Sequence, residues 1–267
     1  MLADIMLGQY FPGNSVIHHL DPRTKIISTI LLISSIFLAE NYQAYSVVVV
    51  FIGFCIALGG IPLVMIFRSL KPLWLIIILT LLIHIFTTTG IIIYTLGPLT
   101  VTQEGLRLGF LMSIRLVFLI IVSSLLTFTT SPVALTDGIE RLLKPFKAIG
   151  LPAHELAMMM TIALRFIPTL LEETDRIMKA QMARGADFTS GNILRRARNM
   201  IPLLVPLFIS AFRRADDLAT AMEARCYRGG DHRTRMKQLK ITGKDWTAYA
   251  ILLLVIGILL VVRIYVK

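Results

Sequence analysis

Arg184 and Arg225 close two copies of one short frame, Ala180-Gln-Met-Ala183-Arg184-Gly185 and Ala221-Met-Glu-Ala224-Arg225-Cys226, set 225 − 184 = 41 residues apart; Asp175 and Asp216 keep the same offset. In each copy the two alanines and the arginine fall at i, i+3 and i+4, one face of a helix, where small side chains let a partner approach closely. A guanidinium on that face is a planar, permanently charged fork suited to bidentate pairing with carboxylates. The chemistry available to such a pattern is docking, a helix tip entering a groove. Two copies imply two similar grooves, and so two similar partner proteins. A single copy would read as a cation in the last helical turn before a capping glycine, worth about 0.3–1 kcal/mol. Four shared positions, with Cys226 replacing the second glycine, point beyond a cap.

Other residues capable of chemistry lead nowhere catalytic. The phosphate-binding pattern Gly-x-x-x-x-Gly-Lys-Ser/Thr is approached at Gly243-Lys244, but Gln238 stands where the first glycine belongs and Asp245 where the hydroxyl belongs. Glu172-Glu173 with His154 or His84 is the nearest set for an intramembrane peptidase. Arg176 falls one residue early for a Glu-Glu-x-x-x-Arg pattern, and pairing of the two glutamates with Arg176 at i+4 and i+3 accounts for these charges. Cys55 and Cys226 have no spacing that suggests a disulfide or a metal site. No catalytic residue, cofactor or metal site is expected. Arg115 lies in mid-span with no acidic residue in any span, so carbonyls, hydroxyls or a wet interior face must meet its cost.

The elements that position the two frames follow from composition. Apolar residues are 56% of the chain, charged residues 16%, and the mean hydropathy is +0.76, which predicts an all-α integral membrane protein. About five transmembrane helices are expected, over Ile26–Ala39, Ser46–Leu58, Leu73–Phe86, Leu106–Phe128 and Trp246–Val262. No cleavable signal peptide is expected. Arg23, Lys25, Arg68 and Lys71 flank these runs on one side, whereas Glu40–Ala44 and Thr87–Gly105 contain no Lys or Arg. The positive-inside rule then places the N-terminus in the cytoplasm and the C-terminus outside, although Arg263 and Lys267 on the tail run against it. Residues 131–245 hold 19 of the 27 basic and 12 of the 16 acidic residues, a net of 19 − 12 = +7. Such a loop satisfies topology and anionic lipid without nucleic acid, which is not expected as a partner. The predicted layout is an interfacial segment over 1–22, transmembrane helices 1–4 over 23–129, a cytoplasmic domain of long amphipathic helices over 130–245, and the last transmembrane helix with a short outside tail over 246–267.

Two apolar stretches inside the basic region, Leu156–Leu171 and Ile201–Phe212, are not read as spans. They are short, carry Arg165 and Pro168 or Pro202 and Pro206, and as a hairpin would send Arg176, Lys179, Arg184, Arg195, Arg196 and Arg198 across the membrane. One long amphipathic helix is expected from about Pro152 to Arg184, with Gly185 as its left-handed cap; Gly191-Asn192 begins the turn into a second helix ending near Arg225. Met158, Met159 and Met160 cluster on the first helix, and thioethers repack readily, which suits a surface that accepts exchangeable partners.

Several ordered motifs carry a family resemblance: Leu20-Asp-Pro-Arg-Thr-Lys25, Thr129-Thr-Ser-Pro132 leading to Leu135-Thr-Asp137, Ala163-Leu-Arg-Phe-Ile-Pro168, the first Ala-Arg-Gly frame, and Arg213-Arg-Ala-Asp216 through Ala221–Arg225 to Arg228-Gly-Gly230. Almost end to end, the chain resembles the transmembrane T component of energy-coupling factor transporters. The resemblance implies a complex with two related ABC-type ATPases and a substrate-binding membrane S component, importing vitamins or transition-metal ions. It also implies that Ala183, Arg184 and Gly185, and Ala224, Arg225 and Cys226, end coupling helices that dock into the ATPases. Cys226 departs from the family glycine and puts the second cap's geometry in question. On this reading Met158, Met159 and Met160 would face the S component, and the chain would be a non-catalytic coupler. The alternative is a stand-alone secondary transporter using Arg115 and His84, a class that usually shows paired interrupted spans and an internal two-fold repeat.

Overall fold

The computed structural model describes residues 10–39, 41–96, 99–188, 192, 194, 198–227, 229 and 239–265. The first nine residues of the expected interfacial segment, Gly191 of the expected turn, Arg228 and Gly230 of the last motif and the final two residues of the tail lie outside these. The described chain is helical except for one hairpin, as an all-α membrane protein requires. Its elements are α1 (Val16–His19), α2 (Pro22–Leu38), α3 (Tyr42–Gly59), α4 (Leu63–Leu70), α5 (Trp74–Thr87), β1 (Ile92–Leu96), β2 (Leu99–Thr102), α6 (Gln103–Thr129), α7 (Pro132–Leu143), α8 (Ala153–Ala183), α9 (Ile201–Ala224) and α10 (Gly243–Tyr265). They form two compact units, Gly8–Gly138 with Gln238–Lys267, and a second containing Ile139–Lys237.

Local sequence chemistry sets the helix starts. Asp21 caps α2, its carboxylate accepting from the Arg23 N–H, with Pro22 at the first helical position where its missing donor costs nothing. Ser131 and Pro132 repeat the arrangement at α7, the Ser131 hydroxyl accepting from the Ala134 N–H. At the start of α10, Asp245 Oδ2 accepts from both the Thr242 N–H at 2.7 Å and the Thr242 hydroxyl at 2.8 Å, while the Asp245 N–H bonds the Thr242 carbonyl at 3.0 Å.

The first unit buries its larger apolar core among α2, α3, α6 and α10, built from residues such as Ile36, Val48, Phe118 and Leu252, and a smaller one of Ile61, Ile66 and Phe128. Helix α5 lies against α6 through a stripe of small residues, Gly105, Gly109 and Ser113. A Cβ at Gly105 would come within 2.7 Å of the His84 carbonyl oxygen, and one at Gly109 within 3.1 Å of the Leu81 oxygen. That is the small-xxx-small packing by which helices approach closely in lipid. At one end of the bundle the sequence motifs meet each other. Asp245, 0% exposed, accepts from the Asp21 N–H at 2.8 Å and so ties the start of α10 to the start of α2. Lys25 donates to the carbonyls of His18 at 3.0 Å and Thr129 at 2.8 Å, joining α2 to the end of α6. Arg115 resolves as expected on carbonyl and hydroxyl: it donates to the Ala39 carbonyl at 2.8 Å and to Tyr45 Oη at 3.1 Å, with the Phe37 ring 5.7 Å away. It thereby caps the C-terminal end of α2.

Two features depart from the expected span pattern. Within the outside loop expected over Thr87–Gly105, an antiparallel hairpin pairs β1 with β2, because Ile91-Ile-Ile-Tyr94 is a β-favouring run. Among the described residues, the helices long and apolar enough to cross a membrane are α3, the Leu63–Thr87 helix, α6, α8 and α10. Arg68 and Lys71, expected between two spans, thus fall within the Leu63–Thr87 helix. The first expected span forms α2, 17 residues long. Helix α8, expected to lie outside the membrane, is the least apolar of the five, because it carries an apolar stripe beside a charged face.

Candidate functional site

The two Ala-Ala-Arg frames end the two long helices of the second unit. Helices α8 and α9 pack on each other, and Arg214 Nη2 reaches Glu173 Oε2 at 3.1 Å. Glu173 therefore pairs across helices rather than with Arg176 on its own helix. The partners are 214 − 173 = 41 residues apart, the same offset as the duplicated frames. Contact between equivalent positions of a repeat is what a two-fold axis produces, and here Glu172-Glu173 in one copy faces a copy reading Arg213-Arg214, so charge attraction replaces like against like. From this crossing each frame arginine lies 11 residues further along its helix (184 − 173 and 225 − 214), about 16 Å at 1.5 Å per residue.

A second contact fixes the helix directions. His154, at the start of α8, takes Glu140 at 3.0 Å on Nδ1 and Tyr227 Oη at 3.3 Å on Nε2. Tyr227 follows the end of α9, so the C-terminal end of α9 lies by the N-terminal end of α8. Thirty helical residues separate His154 from Arg184, about 45 Å. The two arginines thus stand at opposite ends of the pair, tens of ångströms apart.

Both helix ends are built alike. Gly185 and Cys226 take left-handed φ values of +88° and +56°. Gly185 N–H bonds the Met182 carbonyl and Ala186 N–H the Gln181 carbonyl, each at 3.0 Å; in the second copy Cys226 N–H bonds Glu223 at 2.8 Å and Tyr227 N–H bonds Met222 at 3.0 Å. These are two Schellman caps shifted by one repeat. Cys226 therefore keeps the cap that glycine makes, at a backbone cost of about 1 kcal/mol. Ala180, Ala183 and Arg184, and Ala221, Ala224 and Arg225, are all exposed, and neither arginine has an ion pair among the described residues. Each tip can offer a guanidinium fork flanked by small side chains.

Of the methionines singled out by sequence, Met159 and Met160 are exposed and Met158 is half-buried, all on α8. A larger apolar surface lies on α9. Ile201, Leu204, Val205, Phe208, Ile209 and Phe212 are exposed at i, i+3, i+4, i+7, i+8 and i+11, with Phe212 at 68%. Its helical period was readable in the sequence, but which face of α9 stays uncovered depends on how α8 packs. His84 bonds the Thr80 carbonyl on its own helix at 2.8 Å, so neither it nor Arg115 is left without a local role.

Residues 13–236 match the family model CbiQ, described as cobalt transport protein. Curated relatives match over most of the chain. The energy-coupling factor transporter transmembrane protein EcfT of Acidaminococcus fermentans is 61% identical over 97% of each chain, and that of Clostridium kluyveri is 53% identical over 99% of each. The Bacillus subtilis protein of the same name is 48% identical over 98% of this chain and 100% of its own. With the sequence motifs joined at the bundle end and the repeated frames at two matched helix tips, this chain belongs to the EcfT family and is the transmembrane component of an energy-coupling factor transporter.

Proposed function

We propose that this chain is a mechanical coupler between two ABC-type ATPases and a substrate-binding S component, in an importer of vitamins or other micronutrients. The observation that carries the reading is the pair of matched helix tips, each exposing one arginine at the same place in the repeat. Ala183-Arg184-Gly185 and Ala224-Arg225-Cys226 each enter one ATPase, the guanidinium pairing with groove carboxylates. ATP hydrolysis belongs to the partners. Closure of the ATPase pair draws the two tips together, and α8 and α9 lever about the Glu173–Arg214 crossing. The apolar stripe of α9, with Met158, Met159 and Met160 on α8, carries that shift to the S component and reorients it. Cargo specificity then resides in the exchangeable partner; the cobalt in the matched family's description makes a metal ion one fitting cargo.

The chain sits in the plasma membrane with its N-terminus in the cytoplasm and its C-terminus outside, from the distribution of Lys and Arg. The test is affinity purification of the tagged chain from its native membrane, followed by identification of bound chains. Co-purification of two ATPase copies and an S component is expected. Substrate transport by the purified chain alone, with no ATPase bound, would overturn the proposal.

A further inference from the structure

The first unit contains an apolar groove whose mouth is polar and basic. The groove, about 200 Å³, is walled by α1, α2, α3, α6 and α10, with Ile17, Phe54, Cys55, Leu126 and Ile251 among its apolar lining. A shallower depression beside it is lined by His19, Thr242, Gly243, Lys244 and Thr247. Lys244 and Thr247 line both, so the two adjoin.

Three observations specify an occupant. The mouth lies at the first turn of α10, where Trp246 is exposed and stacks edge-on with Tyr249, the aromatic signature of a membrane–water interface. Arg23 is paired with Asp21, Lys25 is held by two backbone carbonyls, and Asp245 accepts from N–H and hydroxyl donors. Lys244 is exposed beside the α10 N-terminus, where its charge favours a phosphate. Deeper between α2, α3, α6 and α10 the walls are predominantly apolar, with Phe51, Phe54, Leu125 and Ile251 among them.

We propose that this groove binds an anionic phospholipid. The phosphate sits at Lys244 and the α10 N-terminus, and one acyl chain fills the space between α3 and α10 past Cys55 and Ile251. This order, interfacial charge then hydrocarbon, is the order of groups along a phospholipid. A lipid there fills a gap between helices that the chain's own side chains leave open.

The purified full-length chain in lipid nanodiscs is photolabelled with phosphatidylglycerol or phosphatidylcholine bearing a diazirine in one acyl chain, and adducts are mapped. Adducts concentrated on residues 51–58 and 247–252 are expected, with phosphatidylglycerol favoured about fivefold, the preference one interfacial lysine supplies. Lys244→Gln should abolish that preference without reducing phosphatidylcholine labelling. Ala248→Trp, and Cys55→Phe from the opposite wall, should each empty the groove of both lipids. Adducts spread evenly round the spans, equal labelling by the two lipids, or an unchanged preference in Lys244→Gln would each overturn the site.

Discussion

If Arg184 and Arg225 each fill a separate ATPase groove, removing them should have multiplicative effects on assembly. Truncating one member of a buried, hydrogen-bonded charge pair costs about 2–5 kcal/mol at an interface. At the lower figure, Arg184→Ala or Arg225→Ala weakens its own contact about 30-fold. The geometry says how the two combine. Tyr227 holds the end of α9 beside His154, and Arg184 lies 30 helical residues beyond His154, about 45 Å. Perturbations separated by more than about 10 Å with no shared partner add in free energy. The double variant should therefore lose about 4 kcal/mol, close to 1,000-fold. The assay is retention of ATPase chains on the tagged membrane protein, measured for wild type, both singles and the double across a dilution series. Singles that each equal the double would mean one shared site and refute the two-groove argument. Wild-type retention by the double would refute docking through the arginines.

Replacing Met158, Met159 and Met160 with Val, stiffer and shorter, should reduce S-component retention while leaving ATPase retention intact; equal loss of both on one sample would instead mark general unfolding. A cysteine at Ser190, placed after Cys55 and Cys226 are removed, should react with impermeant thiol reagents from the cytoplasmic side alone, and one at Gly97 from the outside alone; both positions lie outside the described residues, and outside labelling at 190 would restore a hairpin of spans through α8 and α9. Asp245→Ala should destabilise the first unit by about 3 kcal/mol or more, because it strands the Asp21 N–H and Thr242 N–H that the buried carboxylate accepts, and an unchanged thermal midpoint would show that water replaces it.

The sequence by itself determined the class of the molecule and the location of its two tips. Hydrophobic runs, the 3.6-residue spacing of Ala, Ala and Arg, and Gly185 after the last turn are local properties, set by which side chains a helix can hold and where it can end. The start signals at Asp21-Pro22 and Ser131-Pro132 are equally local. Tertiary structure alone decided what those signals meet. Asp245 and Asp21 are 224 residues apart, Lys25 and the Thr129 carbonyl 104, and no short-range periodicity encodes such pairings. The partner of Glu173 is the same case: Arg176 is within reach on the same helix, yet packing of α8 on α9 brings Arg214 to it instead. The cap at Cys226 was undecidable from residue type, since a non-glycine in the left-handed region carries a cost that only the surrounding hydrogen bonds can offset. The hairpin within 92–102 is not legible in the sequence because its β-branched run is short, and strand formation there needs a pairing partner across the turn. Helix propensity and charge are written residue by residue, whereas the crossing of α8 and α9 exists only once both helices have formed and buried a shared face.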